Sequence, residues 1–464
     1  MSPTIVRNAR IFTSADDADD LVAGCLVFQD DGLIQYVGPE EGLESHRQAI
    51  MPASGSGVTE IDVDNRIVTP GFIDGHVHML HFGLSLGKLD ASTAGQALAS
   101  MLDELDPRPI YVEALDLHSI WCSTAALDEL GVASMEDPPG GTIHRDGNGR
   151  PSGLLDEGSL PLIVWPYLTK TLTVEQKQTA LHHAVSAYTQ AGYTGAIDMA
   201  MDEDDESDQE IQTTLDKAIE MHHTFHPCTA ALSQPYGTKP DPIEPIWPAE
   251  KMAKIIHQAD AAGLQCAVHA IGDKAITQTI DAFASLSMPF SRRHRIEHLE
   301  LASESDVKRL GKLGIVASVQ PVHSYPALFK AWPSLLGAHR CQRAFPYAEF
   351  LESGAPLAFR TDAPTAAHLP LPNLYNATTR RSAIEPESSE RTNPQFAVSL
   401  AAAAKAATAG TAYSRHAERW TGSLKKGASA DFVVLDTDWT SAGLLKARVK
   451  QTWFQGRQVF DGKD

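Results

Sequence analysis

Three times in the middle of the chain a stretch with helical spacing runs into a glycine and then a short apolar segment. Val174 to Ala191 leads to Gly192 and the run Tyr193 to Asp198, Ala249 to Ala262 to Gly263 and Leu264 to His269, and Ser303 to Leu313 to Gly314 and Ile315 to Val319. A fourth apolar run, Ala355 to Phe359, follows Gly354. Glycine supplies the left-handed residue that ends a helix, and helix, stop and short strand in alternation predict a parallel sheet, either barrel or doubly wound. In both folds chemistry gathers at the C-terminal ends of the strands.

The residues at those ends are therefore the informative ones. The run Ile67 to His78 opens with β-branched Ile67, Val68 and Ile73, broken only by Pro70-Gly71, and reads as a strand entering a buried sheet. His76 and His78 are two apart, so both point to one face and can offer two imidazoles to one cation, zinc or a neighbour of it in ligand preference. Later strand ends carry His269, His298, His323 and Asp362. Singly, each has an ordinary explanation as a packing histidine or a helix N-cap. Together they are an N/O donor set that closes on one axis only if the strands form a barrel.

Both termini read differently. Thr4 to Phe12, Leu26 to Phe28 and Leu33 to Val37, with turns at Asp30-Asp31-Gly32 and Gly38-Pro39, predict a small antiparallel sheet, and Ala430 to Asp436 and Val449 to Phe460 predict its partner strands. Such a sheet would flank one large inserted domain. With 38 basic against 59 acidic residues the formal charge is −21, which excludes nucleic acid or an anionic membrane as an expected partner. Five widely spaced cysteines without a C-x-x-C pair indicate neither a disulfide framework nor a cysteine zinc site, so reduced, mostly buried thiols are expected. The first residues show no basic segment leading into an apolar one, and cytoplasmic location is the default expectation.

Six motifs in order carry a resemblance: PGFIDGHVH (70–78), PGGTIHRDGNGRPSG (139–153), VHAIGD (268–273), RIEH (295–298), SVQP (318–321) and TDAP (361–364). The chain resembles the metal-dependent amidohydrolase superfamily, in the branch of N-substituted formamide deformylases and YtcJ-like proteins (amidohydrolase family 3). The resemblance implies an α/β fold, a (β/α)8 TIM barrel with a small β-sandwich from both termini: residues 1–66 and 420–464 in the sandwich, and 67–419 in the barrel with an inserted segment near 90–160. It also implies His76 and His78 as ligands of the more buried metal, and His269 and His298 as ligands of a second metal or the substrate side of the first. Asp362 would be ligand and proton shuttle. Members of this branch usually carry a lysine, bridging two metals when carboxylated, shortly before the segment matching Cys228 to Tyr236. Here Met221 runs directly into that match and no lysine stands there; a second contraction lies near Leu89 to Thr93. Losing a central barrel strand would leave an open edge. The expectation is thus that the strand is kept and that the two stretches are missing from the sequence as written, not from the protein.

The expected cofactor is one or two divalent ions, zinc first. Such an ion lowers the pKa of bound water from about 16 to roughly 7, so hydroxide attack on a C–N amide of an N-formyl or N-acyl amine is the leading reading. Asp362 would act as base and then acid, and His298 and His323 would donate to the oxyanion. A metal-assisted lyase or decarboxylase, or a silent binding protein of the same fold, are the alternatives. His323, His118, Trp121 and Arg360 are the candidate substrate contacts, with loop packing, insert core and an ion pair as the plain readings of His323, Trp121 and Arg360. The glycine-rich run at 140–153 lacks a Gly-Lys-Ser/Thr and is no phosphate loop, and the acidic run Asp202 to Glu210 reads as solvated. A small molecule is the expected partner, and a homodimer is one option for assembly.

Overall fold

The computed structural model describes residues 3–15, 20–50, 57–86, 97–114, 119–138, 141–199, 230–237 and 241–462. His118, Cys228 and the acidic run from Asp202 lie outside the described residues.

From the N-terminus come β1 (Thr4–Ile11), β2 (Val22–Phe28), β3 (Ile34–Gly38), β4 (Thr59–Asp62) and β5 (Ile67–Pro70), then β6 (Phe72–Val77). The insert contributes β7 (Tyr111–Glu113), β8 (Ser119–Cys122), β9 (Gly141–Arg145) and β10 (Pro151–Glu157), which form their own four-stranded sheet. Next stand β11 (Tyr193–Asp198), β12 (Ala267–Ala270), β13 (Arg295–His298), β14 (Val316–Val319) and β15 (Leu357–Phe359). The chain finishes with β16 (Phe432–Asp436), β17 (Arg448–Phe454) and β18 (Arg457–Asp461).

Strands from both ends join in one eight-stranded sheet, ordered β18-β17-β16-β5-β1-β2-β3 with β4 beside β1. It is one continuous hydrogen-bonded sheet. It rolls up strongly: four strand steps separate β2 from β17, about 19 Å if flat, yet the rings of Phe28 and Trp453 are 5.8 Å apart. Phe28, Phe432 and Trp453, with Val6, Leu26 and Val68, fill the space inside the roll. Residues 67–70, expected in the barrel domain, run in this sheet, because β5 pairs with both β1 and β16. The chain leaves it at Gly71, where a Cβ would sit 2.1 Å from Thr194 Oγ1.

The predicted helix, glycine, strand rhythm is present. Helices Val174–Gln190, Ala249–Ala261 and Glu304–Leu313 precede Gly192, Gly263 and Gly314, all with φ between +61° and +95°. β6 pairs with β11 in parallel, and β12 to β15 form a parallel ribbon in chain order. Backbone hydrogen bonds just past the strand ends join the two, Asp362 N to His76 O and His78 N to Ala363 O, both 3.0 Å. The strands thus follow one another as β11-β6-β15-β14-β13-β12. Among the described residues β11 and β12 are not paired with each other, so the sheet of this α/β fold is not closed among those residues. The sequence between these two strands is where the expected lysine-bearing stretch does not stand.

Cys25, Cys122, Cys266 and Cys341 are free and buried, and burial pushes the thiols of Cys122 and Cys266 up to about 12. No helix among the described residues is long and apolar enough to cross a membrane.

Helix Met79–Ser85, which leaves the end of β6, lies on helix Val174–Gln190 so closely that a Cβ on Gly83 would meet the Ala180 carbonyl oxygen at 2.0 Å. Backbone cannot yield as a side chain does, so Gly83→Ala is expected to lower stability to urea by about 1–3 kcal/mol, the usual range for overpacking. An unchanged unfolding midpoint would show that the two helices part freely.

Candidate metal centre

Alternation along β6 turns Asp74, His76 and His78 to one buried face, in ascending order toward the strand's C-terminal end. Asp74 is the base of this column. Its carboxylate accepts from the His76 and Thr361 backbone N–H groups at 3.2 and 3.0 Å and from the Tyr188 hydroxyl at 2.9 Å. Burial pushes its carboxyl up, and these hydrogen bonds pull the other way.

On β13 the residues of inward parity are Arg295 and Glu297. Burial alone would raise the Glu297 carboxyl, but the guanidiniums of Arg295 and Arg360 hold it well below the usual range. Arg295 Nε lies 2.9 Å from Oε1 and Arg360 Nε 3.0 Å from Oε2. The remaining partner is His76 Nδ1, 3.3 Å from Oε2. An ionised carboxylate only accepts, so Nδ1 carries the proton and Nε2 presents its lone pair.

That lone pair faces Asp362, which follows β15 with a left-handed φ of +64°. Asp362 Oδ1 lies 3.2 Å from His76 Nε2 and 3.4 Å from His78 Nε2. His76 Nε2 and Asp362 Oδ1 are both buried and neither makes a hydrogen bond. Donors at about 2.05 Å from a tetrahedral divalent ion would stand roughly 3.3 Å apart, so this buried set fits such an ion. Burial would raise the Asp362 carboxyl, yet its neighbours, the Arg360 guanidinium among them, hold it well below the ordinary range.

His298 breaks the alternation. Parity on β13 would send it away from Glu297's side, but φ is +77° at His298 and +56° at Leu299, and its ring lies 4.0 Å from that of His269 and 6.1 Å from that of His76. Two consecutive non-glycine residues in the left-handed region are uncommon and cluster at functional sites. His298 Nε2 is 3.7 Å from Asp362 Oδ2, and its Nδ1 is 2.7 Å from Gln320 Nε2. Burial, with His269 and Arg360 adding to it, drives the His298 imidazolium well down; burial also lowers His78. Both rings are neutral at physiological pH.

His323 stands in the turn after β14, partly exposed, with Nδ1 3.3 Å from Glu300 Oε1 and its ring 6.0 Å from His298. His298, Glu300 and His323 form a second group whose donor atoms lie within 4.8 Å of one another.

For Arg360 and Trp121 the contacts match the plain readings, ion pair and insert core. Arg360 is fully buried in its ion pair with Glu297, beneath the centre, so it meets a carboxylate of its own chain. Trp121 is buried on a central strand of the insert sheet and its indole N–H donates to the Leu98 carbonyl at 2.9 Å, so it packs the insert. The insert approaches the centre through Trp165, whose ring is 5.0 Å from that of His81, which in turn is 6.5 Å from His78. Sequence reasoning assigned no role to Asp74, Glu297, Glu300, Gln320 or His81. The first and fourth were within reach, since Asp74 shares the parity of His76 and Gln320 closes an inward pair with Ser318.

A family model described as the amidohydrolase family matches residues 59–460. Protein LONG AFTER FAR-RED 3 of Arabidopsis thaliana is 28% identical over 98% of this chain and 91% of its own length. N-substituted formamide deformylase of Arthrobacter pascens is 22% identical over 92% of this chain and 93% of its own. An uncharacterized metal-dependent hydrolase from Pyrococcus furiosus has a similar fold, with a TM-score of 0.73 at 21% identity, over 94% of this chain and 99% of that one. The Arabidopsis alignment spans 547 positions against 464 residues in this chain, so at least 83 of them have no residue here.

Because Glu297 sets which nitrogen of His76 faces the centre, Glu297→Gln should weaken zinc binding about 10–100-fold, the usual cost of losing such a partner. Competition against a chromophoric chelator measures it, and wild-type affinity would mean that the ring is oriented by something else.

Proposed function

The chain belongs to the amidohydrolase family, and on that footing we propose that it is a metal-dependent hydrolase of a C–N amide bond in a small molecule, of the N-formyl or N-acyl amine kind. The observation that carries the metal-dependent part is the pair of buried, hydrogen-bond-free atoms, His76 Nε2 and Asp362 Oδ1, with His78 Nε2 beside them. The substrate kind is supported by the relative named for formamide deformylation.

His76, His78 and Asp362 would hold the ion, and the imidazole and carboxylate donors suit zinc. When bound, a divalent ion supplies Lewis acidity to a substrate carbonyl and makes water acidic enough to lose a proton near neutral pH. Asp362, ionised and buried, takes that proton and returns it to the departing nitrogen, acting first as base and then as acid. His269 and His298 border this group, and His323 at the partly exposed rim is placed toward the substrate. The burial of His76, His78 and Asp362 keeps bulk water from competing for their lone pairs.

The same reading takes the six parallel strands as part of a (β/α)8 barrel, because inward residues of β6, β13, β14 and β15 meet at one place. Free, buried cysteines suit a reducing compartment, and we take the enzyme as cytoplasmic.

His76→Ala with His78→Ala should abolish both zinc binding and turnover. Asp362→Asn should keep most of the metal and lose roughly 10²–10⁴ in rate, the range for a positioned acid or base. A panel of formamides, N-acyl amino acids and carboxylic acids identifies the chemistry. Amine release is the expected outcome; CO₂ release would replace the hydrolase by a decarboxylase, and unchanged turnover in Asp362→Asn would remove its assigned role.

A further inference from the structure

His76 and His298 both border Asp362, yet their outer nitrogens meet opposite partners. At His76 the partner is Glu297, an acceptor, which puts the proton on Nδ1 and leaves Nε2 as a lone pair. At His298 the partner is Gln320, an amide that can donate or accept, and Asp362 decides which. Gln320 Nε2 lies 3.0 Å from Asp362 Oδ2 and 2.7 Å from His298 Nδ1. Asp362 is an ionised carboxylate and offers only lone pairs. Turning the amide over would set Oε1 against a carboxylate oxygen at 3.0 Å, acceptor against acceptor with no proton between them.

The NH₂ group therefore faces both, giving one N–H to Asp362 and the other to His298 Nδ1. A nitrogen that accepts a hydrogen bond carries no proton, so the proton of the neutral ring is on Nε2, the atom 3.7 Å from Asp362 Oδ2. A protonated nitrogen has no lone pair left for a metal. Gln320 is buried, and its main-chain carbonyl accepts from the Tyr347 hydroxyl at 3.2 Å, which anchors the backbone from which the amide reaches.

We propose that Gln320 is a positioning residue that holds His298 as its Nε2–H tautomer, so that His298 donates a hydrogen bond to a substrate oxygen and does not ligate metal. This rests on the hydrolase reading and deepens it, by dividing the histidines of the site into ligands and a donor. It also bears on the group His298, Glu300 and His323. His298 Nδ1 is 3.9 Å from Glu300 Oε1 but 2.7 Å from the amide of Gln320. A cation on that nitrogen would have to displace a hydrogen bond that Asp362 keeps oriented.

Two-bond ¹H–¹⁵N correlation spectra of the full-length protein, labelled at histidine, distinguish the tautomers, and the His298→Asn spectrum identifies the signal. Metal-free protein should show His298 protonated at Nε2 and not at Nδ1. Zinc added to one equivalent should shift His76 and His78 and leave the Nε2 proton of His298 in place. Loss of that proton on zinc addition, or an Nδ1-protonated His298 in metal-free protein, overturns the inference while leaving the hydrolase reading intact. No zinc shift at His76 or His78 would instead overturn the hydrolase reading. In Gln320→Met, Glu300 becomes the acceptor in reach, so the His298 signal should change to the Nδ1–H form while the His76 signal stays where it was. A variant that keeps the Nε2–H form would show that Gln320 does not set it, and an unmoved His76 signal reports that the fold is retained.

Discussion

The Glu297 carboxylate, wholly buried and gripped by two guanidiniums, is the contact around which the centre is arranged. Such a cluster is a poor source of stability. Removing several charges from water costs several kcal/mol per ion, roughly what their attraction returns, whereas deleting one partner typically costs about 3–5 kcal/mol. What the cluster contributes is position. Arg295 reaches the Gly75 carbonyl at 2.6 Å and Ser318 Oγ at 3.3 Å, and Arg360 reaches the Ser318 carbonyl at 3.4 Å. One carboxylate thereby ties β6, β13, β14 and β15 together at a single level and, on its remaining lone pair, sets the ring of His76.

The opposite chemistry of Glu297 and Gln320 shows how two like side chains acquire different work. Imidazole alone does not say which nitrogen bears the proton; its outer neighbour does. An acceptor there makes a ligand, and a donor makes a hydrogen-bond donor. Asp362 takes part in both outcomes, by facing the lone pair of His76 directly and by orienting the amide that faces His298.

This division also explains what could be read in the sequence. His76, His78 and Asp362 stand out because their residue types are scarce at strand ends, and the glycines at 192, 263 and 314 stand out because left-handed caps demand them. Glu297 and Gln320 sit inside quoted motifs but show their purpose only through partners from other strands, Arg360 and Asp362. His298 was named for its type although strand parity argues against it, and only the positive φ at 298 and 299 returns it to the site. Arg360 and Trp121 each carry two readings in the sequence for one shared reason. Each is a large polar-tipped side chain that reads equally as a substrate contact or as buried packing, and burial is decided by strands distant in sequence.

The terminal sheet, far from any chemistry in sequence, has a geometric part in the same centre. Phe432 pairs with Pro70 at the last rung of β5, and Gly71 N donates to Asp431 O at 3.0 Å. One residue later Phe72 begins β6, whose other end is held by the hydrogen bond from Asp362 N to His76 O. Six residues of extended chain span about 20 Å at 3.3 Å each, so β6 is fixed at both ends with no slack between them. A slip of one residue would turn Asp74, His76 and His78 outward together. The close approach of Gly71 to Thr194, which leaves no room for a Cβ, opposes that slip at the point where the chain passes from one sheet to the other.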